Sequence, residues 1–236
     1  MVGTWVNVGA VLLGSSIGLL AGKRVPEPIT RSATVAIGLV TLVLGIQLAL
    51  GSENALVLLF ALLLGGGLGT ALRLEDRLGR LGEASQRWFP ATVRGSVPQA
   101  FVAATLLFCV GPMAVLGSIR DGLYGDWRIL GLKSVMDGIS SIGFVAGLGP
   151  GVFLSAASVL VYQGAITLAA RWLMVPGAGE ALAPSPALVE FNAVGGAVLV
   201  ALSLKLLGIR DLKVGNLLPA LAFAPALAAL YAAIAA

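Results

Sequence analysis

The chain of 236 residues has no histidine, one cysteine and few charged residues. Only 11% of its residues are charged, against roughly 25% in soluble globular chains, which is too few to cover a water-facing surface. A single cysteine cannot form an internal disulfide. The absence of histidine removes the commonest general base and metal ligand. These shortages exclude a soluble domain, a disulfide scaffold and a histidine-based site, and we expect neither a metal nor a cofactor.

The chain is rich in apolar residues and poor in charged ones. Alanine, aliphatic, aromatic, sulfur-containing and tyrosine side chains make up 58% of the chain, and the mean hydropathy is +0.99. A membrane-spanning helix needs about 20 apolar residues, and no barrel-like alternation is present. The sequence predicts an all-α membrane protein, a single polytopic domain over residues 1–236 with about eight transmembrane helices in contact with the lipid bilayer. The eight apolar segments are Trp5–Gly22, Ala33–Gly51, Ala55–Leu72, Phe101–Ile119, Ile129–Leu148, Val152–Leu173, Leu188–Leu207 and Val214–Ile234.

Basic residues indicate the orientation. With eight spans, eleven of them fall on one side, namely Lys23, Arg24, Arg31, Arg73, Arg77, Arg80, Arg87, Arg94, Lys205, Arg210 and Lys213. Only Arg120, Arg128 and Arg171 fall on the other. Because positive charge concentrates in cytoplasmic loops, we expect both termini outside the cytoplasm. The same pattern explains the net charge of +4, so no nucleic-acid partner is expected.

The longest hydrophilic stretch, about residues 73–99, has an amphipathic pattern. Leu74, Leu78 and Leu81 recur at helical spacing among charged residues. This pattern favours a helix on the cytoplasmic interface, anchored by Trp88 and Phe89; the alternative is a solvated loop. The second hydrophilic stretch, Pro176–Pro186, is interpreted as an external loop.

One pair of segments resembles an internal repeat. Shifting the chain by 157 residues aligns the second segment with the seventh without gaps, so that Gly38 meets Gly195 and Gly51 meets Gly208. The two segments cross in opposite directions, as in inverted-topology repeats of secondary transporters. The alternative is a chance match between two glycine-rich helices.

Small residues form rows in the first and third segments. Gly14, Gly18 and Gly22 are spaced by four residues, and the third segment ends in the glycine-rich run 65–69. Such rows let helix backbones approach closely in lipid. They predict packing faces, used either within the chain or in a homo-oligomer.

The fourth segment contains Gly111 and Pro112 near its middle. Proline removes a backbone hydrogen bond and clashes with the preceding turn. The sequence therefore predicts either a simple kink or a broken helix whose freed backbone groups bind a solute.

The fifth segment carries Lys133 and Asp137, four residues apart and hence on one helical face. Asp137 is the only acidic residue well inside any segment, where an ionised carboxylate is costly and usually faces a partner or a wet cavity. It can pair with Lys133, bind a cation or take up a proton, while Lys133 can also extend to the interface. Ser140 and Ser141 follow one turn later. A structural ion pair and a transport site both fit this pattern.

Further polar residues lie in neighbouring segments. The candidates are Tyr162 and Gln163 in the sixth, Asn192 in the seventh, Asn216 in the eighth and Asn7 in the first. Amide side chains are costly to bury without partners, so we predict that these residues contribute to a solute or ion site. Hydroxyl groups in the same helices can instead bond their own backbone.

Several of these motifs together resemble the YqgA/YdfK-like bacterial membrane proteins. The motifs are residues 106–113, 133–141, 161–164, 192–196 and 215–219, and the resemblance covers nearly the whole chain. That family carries a domain-of-unknown-function label and a suggested transport role. The resemblance implies a multi-pass protein of the bacterial inner membrane and supplies no functional residue to carry over.

These features favour a secondary carrier for a small polar or ionic solute, coupled to a proton or another cation. A channel would use the same broken helices and buried carboxylate. A non-transporting scaffold subunit would tolerate apolar replacement of Asp137, Gln163 and Asn192. An intramembrane enzyme is not expected, because no histidine or second buried carboxylate is available and Ser134 points away from its neighbour Lys133.

Overall fold

The computed structural model describes residues 1–22, 26–86, 96–173 and 185–235. Within these ranges the chain is almost entirely helical and contains no strand. The helices are α1 Val2–Gly22, α2 Glu27–Ala49, α3 Ala55–Ala71, α4 Leu74–Gln86, α5 Val97–Cys109, α6 Pro112–Tyr124, α7 Arg128–Leu148, α8 Val152–Leu173, α9 Pro186–Leu206 and α10 Ala220–Ala235, with a 3-10 turn at Val214–Leu217 before α10. The predicted all-α fold is confirmed.

Six of the described helices are long and apolar enough to cross a membrane, and the number rises to eight if each of two bent pairs counts as one span. The pairs are α3 with α4, bent by 53°, and α5 with α6, bent by 60°. Leu39, Val43 and Ile46 of α2 are more than 40% exposed. Such apolar surface is stable against lipid and not against water, which agrees with the predicted bilayer contact.

Some helix boundaries differ from the prediction. α2 begins at Glu27 rather than near Ala33, so Arg31 belongs to a helix rather than to a loop. Pro28 lies in the first turn of α2, where its missing N–H breaks no helical bond. α5 begins at Val97, inside the stretch expected to be hydrophilic. The amphipathic stretch forms a helix, α4, and its position at the membrane interface stays a prediction. Its expected anchors Trp88 and Phe89 lie outside the described residues, as do Lys23, Arg24, Arg87, Arg94 and the expected loop at 176–184.

The chain divides into two compact units. The first consists of Met1–Ala36 with Arg80–Leu182, and the second of Ile37–Gly79 with Ala183–Ala236. α2 therefore contributes its beginning to the first unit and its remainder to the second. In the first unit, Thr34 of α2 donates a hydrogen bond to the carbonyl oxygen of Gly147 at 2.9 Å.

In the first unit, α1 lies parallel to α7. The contacts advance together along both helices, since Gly3 faces Leu130, Gly14 faces Gly138 and Gly18 faces Ile142. A Cβ atom at Gly14 would collide with the carbonyl oxygen of Gly138. The glycine row of α1 thus packs within the chain, which is one of the two uses that the sequence left open.

α8 completes the first unit by packing against α5 and α6. The turn between α7 and α8 is a sharp hairpin in which Gly149 has φ +107°, a backbone conformation that favours glycine. Gly151 then lies against the backbone of Val97 and Phe101. Farther along, Thr105 donates a hydrogen bond to Ser158 at 3.1 Å, and Gly122 contacts the backbone of Thr167.

The second unit pairs its helices in antiparallel fashion. Gly38 faces Leu207 and Gly45 faces Gly196 and Val200, so α2 and α9, the segments matched by the 157-residue shift, pack against each other in opposite directions. Likewise Gly65 of α3 faces Ala220, and Gly69 faces Asn216. Both glycine rows of the sequence are therefore used inside the chain, and a homo-oligomer would need other surfaces.

Candidate functional site

Asp137 lies at the middle of α7, as the tenth residue of a helix of 21. Its exposed fraction is 6%, and that of Lys133 is 5%. The Lys133 ammonium donates a hydrogen bond to Oδ2 of Asp137 one helical turn away. The lysine thus points along the helix toward the carboxylate and does not extend to the interface, which resolves one of the alternatives for this residue.

Asn7 brings α1 into the same cluster. Its Nδ2 atom donates a hydrogen bond from α1 to Oδ2 of Asp137 on α7 at 2.9 Å. The close backbone approach of Gly14 and Gly138 holds α1 against α7 at the distance that this short side chain requires. The other amide atom, Asn7 Oδ1, is enclosed and has no hydrogen-bond partner among the described residues.

Aromatic rings cover the lysine end of the pair. The Nζ atom of Lys133 lies 5.9 Å from the centroid of the Phe108 ring, a distance at which the ring face attracts a cation. Phe108 in turn stacks on Phe144, with 5.9 Å between ring centroids. Phe108 is fully buried, so α5 shields the ammonium from water.

Two serines of α7 donate hydrogen bonds to backbone oxygens within the same helix. Ser141 donates to the backbone oxygen of Asp137 at 2.7 Å, and Ser134 donates to that of Leu130 at 2.6 Å. Their oxygen lone pairs remain as acceptors. Ser140 is half-buried. Of the predicted pair, Ser141 is therefore tied to the Asp137 turn, whereas Ser140 is not placed in the cluster.

Of the two alternatives for the fourth segment, the structure shows a broken helix at Gly111 and Pro112, and solute binding there stays a prediction. α5 ends at Cys109, and α6 begins at Pro112. Gly111 has φ +128° and ψ 156° and provides no side-chain cap for α6. It is buried, yet a Cβ atom at this position would meet nothing within 4 Å, so there is space beside the break. Cys109, the last residue of α5, directly follows Phe108, whose ring lies against the Lys133 ammonium.

α8 places an unsatisfied amide in the same unit. Gln163 is fully buried, and neither its oxygen nor its nitrogen has a partner among the described residues. The same holds for the hydroxyls of Thr167 on α8 and of Thr4 and Ser15 on α1. Tyr162, which precedes Gln163 on α8, is half-buried. Buried polar groups without protein partners usually bind water or a ligand.

Asn192 and Asn216 belong to the second unit. Asn216 accepts a hydrogen bond from the backbone N–H of Glu75 at 2.9 Å and donates to Thr70 at 3.5 Å. Its polar groups therefore hold the start of α4. Asn192 is half-buried, and its Oδ1 atom has no partner in the described part of the chain. The predicted site residues are thus divided between two units.

Three carboxylates were not among the predicted site residues. Asp121 accepts from the backbone N–H of Gly3 at 3.0 Å. Glu190 accepts from Ser52 and from the backbone N–H groups of Glu53 and Asn54, each at 2.8 Å. Both are buried and lie near helix ends. In the sequence, the signal for these residues was a carboxylate in or beside an apolar segment. In the structure, the two carboxylates accept hydrogen bonds from backbone N–H groups at or just before the starts of α1 and α3.

The third is Glu75, at the start of α4. It accepts from the Lys205 ammonium at 2.7 Å and from the backbone N–H of Gly215 at 2.6 Å. The sequence pattern assigned Glu75 to the charged face of an interfacial helix, and only the fold brings Lys205 to it. This carboxylate thus joins α4 to the 3-10 turn.

The comparisons with known proteins agree with the motifs. The sequence matches the family described as "Protein of unknown function (DUF554)" over residues 2–229. It is 34% identical to the "Uncharacterized protein YqgA" of Escherichia coli (strain K12) over 238 residues, covering 99% of this chain and 98% of that protein. It is 29% identical to the "Uncharacterized membrane protein YdfK" of Bacillus subtilis (strain 168) over 229 residues, covering 95% and 94%. No solved structure matches.

The family match and the alignments with both relatives each span nearly the whole chain. The membrane character in the name of the Bacillus subtilis relative agrees with the apolar helices described above. The resemblance predicted from the motifs is confirmed, and the chain belongs to the DUF554 family of membrane proteins.

Proposed function

We propose that the protein is a secondary carrier for a small polar or ionic solute in the bacterial inner membrane, with Asp137 as its coupling group. The observation that carries the proposal is the buried cluster of Asp137, Lys133 and Asn7 at the middle of α7. A purely structural pair is costly in lipid, because desolvation offsets most of its attraction. Such groups inside membranes commonly mark ion and proton pathways.

The surroundings of the cluster support a role in binding. The unpartnered amide of Gln163 and the hydroxyl of Thr167 can exchange hydrogen bonds with a solute or with the water that accompanies it. The break at Gly111 lies beside open space, since a Cβ atom there would meet nothing within 4 Å. Carriers commonly place such interrupted helices at the substrate site.

The enclosure of the cluster favours a carrier over a channel. An exposed fraction of 6% at Asp137 fits an occluded site, whereas a conducting pore keeps its charged ring in contact with water. A scaffold subunit has no need of unpartnered amides, which lower its stability. An enzyme needs a general base or nucleophile in reach of a substrate, and we propose no catalytic role for Lys133 or Asp137.

Reconstitution tests the carrier. The purified chain is placed in vesicles that contain a pH-sensitive dye, and inorganic cations, phosphate, carboxylates, amino acids and sugars are added in turn. We expect at least one solute to produce saturable, dye-reported flux. Asp137→Asn should abolish or uncouple that flux, because it removes the titratable carboxylate and keeps a side chain of similar size.

The matched control is Asp126→Asn, the same change at a partly exposed acid that lies 3.9 Å from Arg120 and 4.0 Å from Arg128. This variant should transport like the unmodified chain. Normal coupled flux in Asp137→Asn would remove that residue from the mechanism. No flux with any solute, from protein that elutes as a single folded species, would exclude the carrier and leave the scaffold.

A further inference from the structure

The chemistry around Lys133 indicates which class of solute the proposed carrier takes. The first observation is the start of α6, which lies inside the bent pair of helices with 13 residues in α5 before the break and 13 in α6 after it. The first turn of a helix forms its positive end. Pro112 has no N–H group and the N–H of Ala114 donates to the Gly111 oxygen at 3.3 Å, so Met113 provides the N–H without a partner among the described residues, and no side chain caps it.

A helix start alone does not define a site, and here the second observation is a buried ammonium. Lys133 lies against Phe108, the last residue but one of α5. On the other side of the break, Gly117 of α6 faces Leu130, which lies one turn before Lys133 on α7. The positive end of α6 and the Lys133 ammonium therefore belong to the same neighbourhood, where both favour a negative group.

The third observation is the unpartnered amide of Gln163. The bent pair α5–α6 runs parallel to α8. Before the break Thr105 contacts Ser158, and after the break Gly122 contacts Thr167. The stretch of α8 between these contacts contains Gln163. An amide that is fully buried and has no partner among the described residues is thus available at the level of the break.

The protonation chemistry of the pair connects these observations. Both hydrogen bonds that the described residues make to the Asp137 carboxylate fall on Oδ2, so a proton can add to Oδ1 while Asn7 keeps its bond. Protonation removes the charge that compensates Lys133. A buried ammonium without a counter-ion is strongly unfavourable, so an anion that replaces the carboxylate is stabilised.

We infer that the solute is an anion that binds between the Lys133 ammonium and the start of α6 and enters together with a proton that adds to Asp137. The charges balance, because the site is neutral as the Lys133–Asp137 pair and stays neutral after it gains one proton and one monovalent anion. Gln163 donates or accepts the remaining hydrogen bonds. A cation in the same place would lie beside two positive groups.

Among the residues that the structure describes, few other titratable groups lie near Asp137 or its partners. α7 provides Lys133, α5 provides Cys109, which follows Phe108, and α8 provides Tyr162, which precedes Gln163. α1 contributes Asn7, which does not titrate. The inference rests on the proposed carrier function, and its test therefore measures the charge selectivity of the site without measuring flux.

Cys109 is the single cysteine of the sequence and serves as the native reporter. The purified full-length chain in detergent is treated with two thiol-specific methanethiosulfonates of similar size, one carrying a sulfonate and one a trimethylammonium group. Rates are normalised to the uncharged methyl reagent. The thiolate attacks the reagent sulfur, a disulfide forms and methanesulfinate leaves. We expect the sulfonate to react faster by about tenfold.

Variants assign the preference to Lys133. Lys133→Gln should remove it, and Lys133→Arg should keep it, because the guanidinium retains the charge. Asp137→Asn should increase it, since the competing carboxylate is neutralised. Arg128→Gln is the matched control on the same helix, because its side chain is 93% exposed. Cys109→Ala gives the background.

The outcomes separate this inference from the carrier proposal. A sulfonate preference that depends on Lys133 supports the anion site even if no flux is found. Equal rates, or a preference for the cation, overturn it and leave the carrier to the flux assay. No reaction of either reagent with the native chain, under conditions where the unfolded chain is labelled, also overturns it.

Discussion

At the scale of single residues, the protein contains ion pairs that contribute very different amounts to its stability. Arg128 and Asp126 lie 4.0 Å apart, with the Arg128 side chain 93% exposed, and such pairs contribute about 0–1 kcal/mol. The Lys133–Asp137 pair is buried. Removing one partner of such a pair costs about 3–5 kcal/mol, because the other charge is left uncompensated.

The first prediction concerns the coupling between Lys133 and Asp137. Asp137→Ala should lower the free energy of unfolding by about 3–5 kcal/mol. The double variant with Lys133→Met should recover part of this loss, because no buried charge then remains. A double-mutant cycle from chemical unfolding in mixed micelles measures the coupling, which we expect to exceed about 1 kcal/mol.

The same cycle with Asp126→Ala and Arg128→Met is the control and should give a coupling near zero. Additive effects of the Lys133 and Asp137 changes would show that the two charges do not compensate each other. The burial of the pair would then have no energetic consequence, and the site proposed around it would lose its basis.

Some of these residues could be predicted from the sequence, and others could not. The spacing of Lys133 and Asp137 places them on one face of one helix, so local geometry suffices. Asn7 is predictable from the sequence as a polar residue inside an apolar segment, but its partner lies 130 positions away. Glu75 and Glu190 accept hydrogen bonds from backbone N–H groups. Because nearly every residue has such a group, the sequence does not indicate which one is the partner.

At the scale of helices, glycine positions determine which elements can approach. Gly14 touches the backbone of α7, whereas a Cβ atom at Gly9 of the same helix would meet nothing within 4 Å. Close approach also brings Asn7 to Asp137. The packing of α1 on α7 and the geometry of the candidate site therefore depend on the same contact.

The second prediction compares two identical substitutions in α1. Gly14→Ala should destabilise the protein by about 1–3 kcal/mol, because the added methyl group overlaps the Gly138 carbonyl and separates the helices. Gly9→Ala should be neutral or slightly stabilising, since alanine is the better helix former. Thermal unfolding in detergent measures both.

Gly14→Ala should also weaken the Asn7–Asp137 hydrogen bond and reduce the flux defined above, whereas Gly9→Ala should not. Equal stability of the two variants would contradict the close parallel packing of α1 on α7. Helix existence was predictable here from the apolar segments. The pairing of α1 with α7 was not, because glycine rows indicate a close contact without naming its partner.

At the scale of the whole molecule, helix directions restrict the number of membrane crossings. α1 and α7 run parallel, so an odd number of crossings must separate them. Three crossings, by α2, α3 and the α5–α6 pair, satisfy this condition, as does one crossing by α2 alone. A count of seven, in which only one of the bent pairs crosses, would make α1 and α7 antiparallel and is inconsistent with the contacts.

The last prediction therefore concerns topology. Eight crossings place both termini on the same side, and the distribution of basic residues predicts that this side is outside the cytoplasm. Alkaline phosphatase, active only outside, should be active when fused to either terminus, and a green fluorescent protein that matures only inside should stay dark there. Fusions after Arg80 should show the reverse, because five basic residues lie between positions 73 and 94. Termini on opposite sides would contradict the parallel packing of α1 and α7, whereas both termini inside would leave the fold intact and reverse its orientation in the membrane.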